Sequence, residues 1–192
     1  MTYPTVELRL PAWVARAAPP DAVYPSPEAR MRLAIRLART NIERQTGGPF
    51  GAAIFERATW RLVSVGVNLV ESLNCSTAHA EMVAIMVAQR RLGRYTLGAA
   101  GGQSYELASS TEPCAMCLGA LPWAGLAGLA CGARGEDAGA IGFDEGAKPA
   151  AWVAALARRG IRVTRDVCRA EATAVLADYR RRGGLIYNGS RT

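Results

Sequence analysis

The sequence predicts an α/β domain built on one mixed β-sheet with helices on both faces, and three observations carry that expectation. Helical and β-prone segments alternate along the second half of the 192-residue chain, which implies parallel strands joined by crossover helices. Two short β-prone runs separated by a polar turn precede them, the pattern of an antiparallel hairpin. Residues 126–131 form a short apolar run bounded by glycine, as suits a central strand covered on both faces.

The elements follow in order. The first 25 residues, with Pro4, Pro11, Pro19, Pro20 and Pro25, read as an arm lying over the surface of a domain that occupies residues 26–192. Ser26 before Pro27 supplies a helix cap and a first-turn proline, and Met31, Ile35, Ala38 and Ile42 recur at helical spacing until Gly47 and Gly48. The hairpin strands fall at 52–55 and 62–67. A helix over 77–91, with Met82, Ile85, Met86 and Gln89 on helical intervals, stops at Gly93, and a strand follows at 105–109. Pro113 opens a helix running to about Trp123, which leads into the 126–131 strand. Residues 150–159, 161–164 and 169–182 repeat the sequence of helix, strand and helix. There is no internal repeat or low-complexity tract.

Bulk composition narrows the class more than the function. Half of the residues are hydrophobic and 20% are charged, which fits one globular domain. The net charge of +7 would suit an anionic partner, but the arginines are spread along the chain. The densest run, Arg180 to Arg182, sits in a last helical turn where cations suit the dipole in any case. Residues 113–133 carry no charge, yet Pro113, Pro122 and four glycines interrupt them, so no membrane span is expected. Five cysteines without regular spacing, and an N-terminus lacking an apolar leader, point to the cytoplasm.

The chemistry is concentrated in few residues. The only histidine, His79, lies in His79-Ala80-Glu81 at the start of a predicted helix, and Pro113-Cys114-Ala115-Met116-Cys117 opens another. One imidazole and two thiols at helix N-termini form a catalytic zinc set that leaves a fourth position for water. Exposed backbone N–H groups and the positive dipole end favour the thiolates. Glu81, two residues past the ligand, is placed to carry protons rather than to bind metal. Taken alone, the Cys-x-x-Cys pair could be a redox pair or half of a structural zinc site. No fourth histidine or cysteine stands near either motif to close the sphere. Cys75 is expected to be buried and inert, and Cys131 and Cys168 to serve packing. His-x-Glu followed by Pro-Cys-x-x-Cys is the pattern of zinc deaminases acting on cytosine or adenine.

At these residues the chain resembles the cytidine-deaminase-like superfamily, and within it is similar to the compact bacterial guanine deaminases. The matching stretches are Gly47-Gly48-Pro49-Phe50-Gly51-Ala52, Thr77-Ala78-His79-Ala80-Glu81, Thr111 to Ala120, Gly142-Phe143-Asp144-Glu145-Gly146 and Ile186-Tyr187-Asn188. The resemblance implies a three-layer α/β/α sandwich around a five-stranded mixed sheet, one Zn2+ per subunit, and a homodimer with active sites near the subunit interface. It implies hydrolysis of guanine to xanthine and ammonia by zinc-activated water. His79, Cys114 and Cys117 would be ligands, Glu81 the proton shuttle and Glu145 a second proton carrier. Phe50, Asn68, Ala80, Phe143 and Tyr187 would contact the base.

Bland readings stand beside these: a loop that Asp144 and Glu145 merely solvate, an ordinary turn asparagine at 68, a core aromatic at 50. The first three stretches are shared with tRNA adenosine deaminases and cytosine deaminases. A tRNA substrate, suggested by the arginine run, therefore stays open as an alternative, as do cytosine, an amino-triazine, and a zinc-stabilised binding module without activity.

Overall fold

The computed structural model describes residues 2–98 and 102–189. Its elements are α1 (Val14–Ala17), α2 (Pro27–Glu43), β1 (Gly51–Glu56), β2 (Leu62–Val67), α3 (Ala80–Leu92) and β3 (Tyr105–Thr111), then α4 (Ala115–Ala124), β4 (Gly128–Ala133), α5 (Gly135–Ala140), α6 (Trp152–Ala157), β5 (Arg162–Thr164) and α7 (Arg169–Arg181). The five strands form one sheet in the order β2-β1-β3-β4-β5. β1 pairs antiparallel with both β2 and β3, whereas β3–β4 and β4–β5 are parallel. The mixed sheet expected from the alternation is therefore present.

Both faces of the sheet are covered, because side chains of a strand alternate between its faces. Ala53 and Phe55 of β1 join Ala108 and Ala130 beneath α2 and α7, in a core that includes Met31, Leu33, Leu37, Val175 and Leu176. Ala52 and Ile54 point the other way, with Leu107, Leu129 and Cys131, under α3, α4 and α6. The result is three layers. Ser26 caps α2 as expected, its Oγ accepting the Ala29 N–H at 3.1 Å. α3 presses onto the hairpin at Gly66, where a Cβ would stand 2.0 Å from the carbonyl oxygen of Ala80. Only glycine lets the start of that helix approach so closely.

Three features depart from the sequence reading. The arm is anchored rather than merely draped: Trp13, Val14 and Ala18 are buried in the core, and Val23 bridges to Arg61. Tyr24 and Pro25 pass their carbonyls to the buried Arg30, whose guanidinium also pairs with Glu106 at 3.2 Å and lies 3.5 Å over the Trp60 ring. α5 was not foreseen, since its glycine-rich, acidic sequence lacks an apolar stripe. The arginine run at the end of α7 is partly neutralised, because Arg181 and Arg182 both pair with Asp178.

No helix among the described residues is long and apolar enough to cross a membrane.

The arm also reaches toward the pocket loops. Trp13 Nε1 donates to Thr46 Oγ1 at 3.2 Å, Thr46 donates to Asn41 Oδ1 at 2.7 Å, and the Asn41 amide donates to the carbonyls of Gly48 and Asn68 at 2.9 Å each. Trp13→Ala is expected to lower the free energy of unfolding in urea by roughly 3–5 kcal/mol, the usual cost of emptying a buried indole site. A loss under about 1 kcal/mol, typical of a surface change, would show the arm to be dispensable.

Candidate active site

Two helix starts build the centre of the site. His79 is the N-cap of α3 and Cys114 the N-cap of α4, both in extended conformation, and Cys117 lies one turn into α4. Cap and third helical position share a side of the helix, so both thiols face the same way. β3 carries the chain directly into that turn, since Thr111 ends the strand and Pro113 precedes the cap. The ligand atoms of His79, Cys114 and Cys117 lie within 4.8 Å of one another. Among the described residues no further histidine, cysteine or carboxylate joins that group.

The geometry suits zinc. Tetrahedral bonds of about 2.3 Å to sulfur and 2.0 Å to nitrogen place those atoms about 3.5 Å apart. Cys114 Sγ and His79 Nδ1 are separated by 3.5 Å. The two thiols sit close enough to shift each other's pKa in opposite directions. The hydrogen bond from Cys117 holds Cys114 down to about 4, against burial and with help from His79, while the same bond and burial push Cys117 up. A cation would displace the thiol protons. Burial alone would lower His79, but Cys114 and the nearby Glu81 raise it overall.

Glu81 follows in the first turn of α3, only 7% exposed, and accepts a hydrogen bond from Ser109 Oγ at 3.0 Å. Burial raises its pKa, the Cys114 thiolate adds to the rise, and His79 and Ser109 oppose it. It faces a cleft of about 230 Å³ with His79, Cys114, Glu112 and Glu145. Sites for drug-sized ligands occupy roughly 300–1,000 Å³, so this one suits a single heterocycle.

Glu145 is half-buried on the cleft wall, and its pKa is pushed up to about 8 by burial and by the Cys114 charge, with Lys148 opposing. Its loop is tied down twice. Ala115 N–H donates to the Glu145 carbonyl at 2.9 Å, and Asn188 clasps the loop by accepting from Asp144 N–H and donating to the Gly142 carbonyl, each at 2.9 Å. Asp144 itself accepts from Gly146 N–H and is exposed.

Phe50, Phe143 and Tyr187 line the cleft as one aromatic wall, with Phe143 centred 5.0 Å from Phe50 and 5.1 Å from Tyr187. Tyr187 seats on Gly48, where a Cβ would meet its hydroxyl at 2.3 Å.

Asn68 and Ala80 are absent from that lining. Ala80 packs its methyl into the core beneath the site, and as first residue of α3 it keeps an N–H without an intrahelical partner. Asn68 is wholly buried: its Oδ1 accepts from Val70 N–H at 3.2 Å, and its Nδ2 has no partner among the described residues. A buried donor left unused costs about 1–3 kcal/mol, which a bound acceptor would recover.

Cys75 departs from expectation. It is half-buried rather than buried, and hydrogen bonding to Thr77 lowers its pKa. Cys131 is buried in β4, and Cys168, at the position before α7, packs against the core.

Sequence reasoning assigned nothing to Ser109, Asn41, Asn188 or Glu112. Glu112 is 5% exposed, accepts from Arg165 Nε at 2.6 Å and Gly135 N–H at 3.1 Å, and stands next to the metal turn. Its place inside Glu-Pro-Cys was the one available signal.

Residues 25–133 match the family model for the cytidine and deoxycytidylate deaminase zinc-binding region. The chain belongs to that family. The sheet described above is the fold of its zinc deaminases. The chain is similar to the guanine deaminase of Bacillus subtilis, 38% identical over 118 residues that span 62% of this chain and 71% of that protein. It superposes on the structure of the guanine deaminase from Nitrosomonas europaea with a TM-score of 0.89 at 41% identity, covering 94% of this chain and 99% of that one. It is also 33% identical to the tRNA-specific adenosine deaminase of Rickettsia bellii, over 93 residues spanning 48% of this chain and 61% of that protein.

This zinc deaminase should purify with about one zinc per chain, and stripping the metal should lower its melting midpoint, because binding is linked to folding. Cys114→Ala should abolish stoichiometric zinc in elemental analysis. Full retention of zinc in that variant would place the metal elsewhere.

Proposed function

We propose that this zinc deaminase hydrolyses guanine to xanthine and ammonia. The observation that carries the reading is the pair of carboxylates, Glu81 and Glu145, which share one small cleft with His79 and Cys114. The similarity to guanine deaminases over nearly the whole chain supports the same substrate.

His79, Cys114 and Cys117 would hold the zinc. When bound, zinc acidifies a water and so supplies the nucleophile at neutral pH. The chain's own groups manage the protons. Glu81 takes one from the attacking water and delivers it to N3 of the ring as C2 becomes tetrahedral. As the C2–N bond breaks, Glu145 gives its proton to the departing amine, the second water proton passes from the new hydroxyl to Glu81, and exchange with solvent returns both carboxylates to their starting states. Water plus guanine thus balances as xanthine plus ammonia. Two carriers suit the task, because ring nitrogen and amine lie in different directions from C2. The aromatic wall of Phe50, Phe143 and Tyr187 would flank the ring, the Asn68 amide would donate to its carbonyl oxygen, and the Ala80 N–H would offer a further donor.

The reading extends to assembly and location. The outward side of α4 is apolar, with Met116 and the 87%-exposed Trp123, which supports a homodimer formed by a second copy. Five free thiols suit a reducing cytoplasm. Glu81 is buried with no arginine or lysine partner among the described residues, unlike Glu112, and this supports an enzyme over an inactive binding module.

Ammonia release should be measured with guanine, cytosine, cytidine, adenine, adenosine and an anticodon stem-loop. Release from guanine alone is expected, and turnover of the stem-loop instead would transfer the function to tRNA. Glu81→Gln should keep zinc while losing at least about 10³-fold in kcat. A variant retaining near-native turnover would refute the assigned proton carrier.

The pH dependence has a defined sign. Glu145 donates a proton, so its acid form is the active one, and without metal its pKa is raised to about 8, chiefly by burial. The rate should fall as pH rises through the Glu145 pKa, and zinc's positive charge sets about 8 as the upper bound of that pKa. That alkaline limb should vanish from kcat in Glu145→Gln; its persistence there would assign the limb to another group.

A further inference from the structure

Lys148 is the only lysine in a chain whose other basic residues are all arginine, and it stands three residues after Glu145. Its side chain is 14% exposed, and its amine has no hydrogen-bond partner among the described residues. The amine lies 3.7 Å from Glu112 Oε2, in ion-pair range, and 5.8 Å from the centre of the Trp152 ring. A Cβ at Gly135 would stand 2.7 Å from it, so the absent side chain there makes its room. Burying an ammonium costs several kcal/mol unless it is paired, and here the pairing is with Glu112.

Glu112 is itself fixed. Arg165, just past β5, and the N–H of Gly135, at the start of α5, both donate to it. It belongs to the short stretch that turns β3 into the cap of α4, two residues before Cys114. The loop at 142–148 contains Gly142 at φ 111° and Gly146 at φ 70°, left-handed backbone that glycine adopts at little steric cost. Lys148 ties the far end of that loop, beyond Glu145.

We propose that Lys148 is a positioning residue for deamination: anchored on Glu112, it fixes the loop carrying Glu145 in register with the turn carrying Cys114. The inference rests on the role given to Glu145 above. The Ala115 and Asn188 contacts remain when Lys148 is removed, so the fold and the Glu145 backbone should stand while the segment past Gly146, and with it the Glu145 side chain, loses a restraint. Misplacement of a catalytic group by about 1 Å can cost 10²-fold.

The test is a double-mutant cycle on the zinc-loaded enzyme with guanine, using Lys148→Met, Glu145→Gln and the double variant. Lys148→Met should lower kcat about ten- to hundredfold with KM nearly unchanged, keep its zinc, and speed hydrogen exchange at residues 142–148. The loss should disappear in the Glu145→Gln background, because a residue acting through Glu145 has nothing left to position. Lys148→Gln, polar but uncharged, should behave alike and serves if the methionine variant does not fold. Equal losses in both backgrounds, or native kcat in Lys148→Met while Glu145→Gln is impaired, would overturn the positioning role. Native kcat in Glu145→Gln would remove the role of Glu145 and this inference with it.

Discussion

The site depends on two helices that begin over the same spot of one sheet. β3 delivers Cys114 and Cys117 at the start of α4, and the loop after β2 delivers His79 at the start of α3. Three donors within 4.8 Å, two of them thiols, would be an unfavourable cluster in a dry core. Helix N-termini relieve this by turning unpaired N–H groups and the positive dipole end toward them. The close approach at Gly66 brings α3 near enough for the imidazole to meet the sulfurs. A bulkier residue there would push His79 away and leave the pair of cysteines alone.

Around that centre, burial favours the protonated form of the carboxylates. Glu81 and Glu145 both have raised pKa values, chiefly from desolvation. A raised pKa moves a carboxylate toward the protonated form that a proton carrier needs. His79, with help from Ser109, opposes the rise at Glu81, and Lys148 and His79 oppose it at Glu145. Glu112 is managed differently. Arg165, Lys148 and the Gly135 N–H surround it with positive charge and donors, which suits a fixed structural charge rather than a proton carrier.

Much of this was legible in the sequence because it is local. Ser26 and Pro27 mark the start of α2, and glycine-bounded apolar runs mark the strands, since each signal acts within a few residues. His79, Glu81, Cys114 and Cys117 were readable for the same reason: their spacing at two helix starts is itself the chemistry. Glu145, Phe143 and Tyr187 came from resemblance alone, and their meeting in one cleft depends on the chain's end returning to residues 142–146. What stayed hidden is long-range. The bond from Arg165 to Glu112 joins residues 53 positions apart, and nothing in hydrophobic periodicity encodes such a pairing. Trp13 looked like part of a loose arm because proline and alanine surround it, yet one indole and its hydrogen bond to Thr46 draw the segment into the core. The helix expected from Thr77 starts only at Ala80, because Leu69 N–H pairs with the Ala78 carbonyl and holds the preceding residues in a loop.

Everything chemical here turns on three protein donors sharing one ion that still has a place for water. X-ray absorption at the zinc edge reads that directly on the purified protein. Two sulfurs at about 2.3 Å and two lighter atoms, one histidine nitrogen and one oxygen, at about 2.0–2.1 Å are the predicted shell. A shell of four protein donors, or one with fewer than two sulfurs, would contradict it.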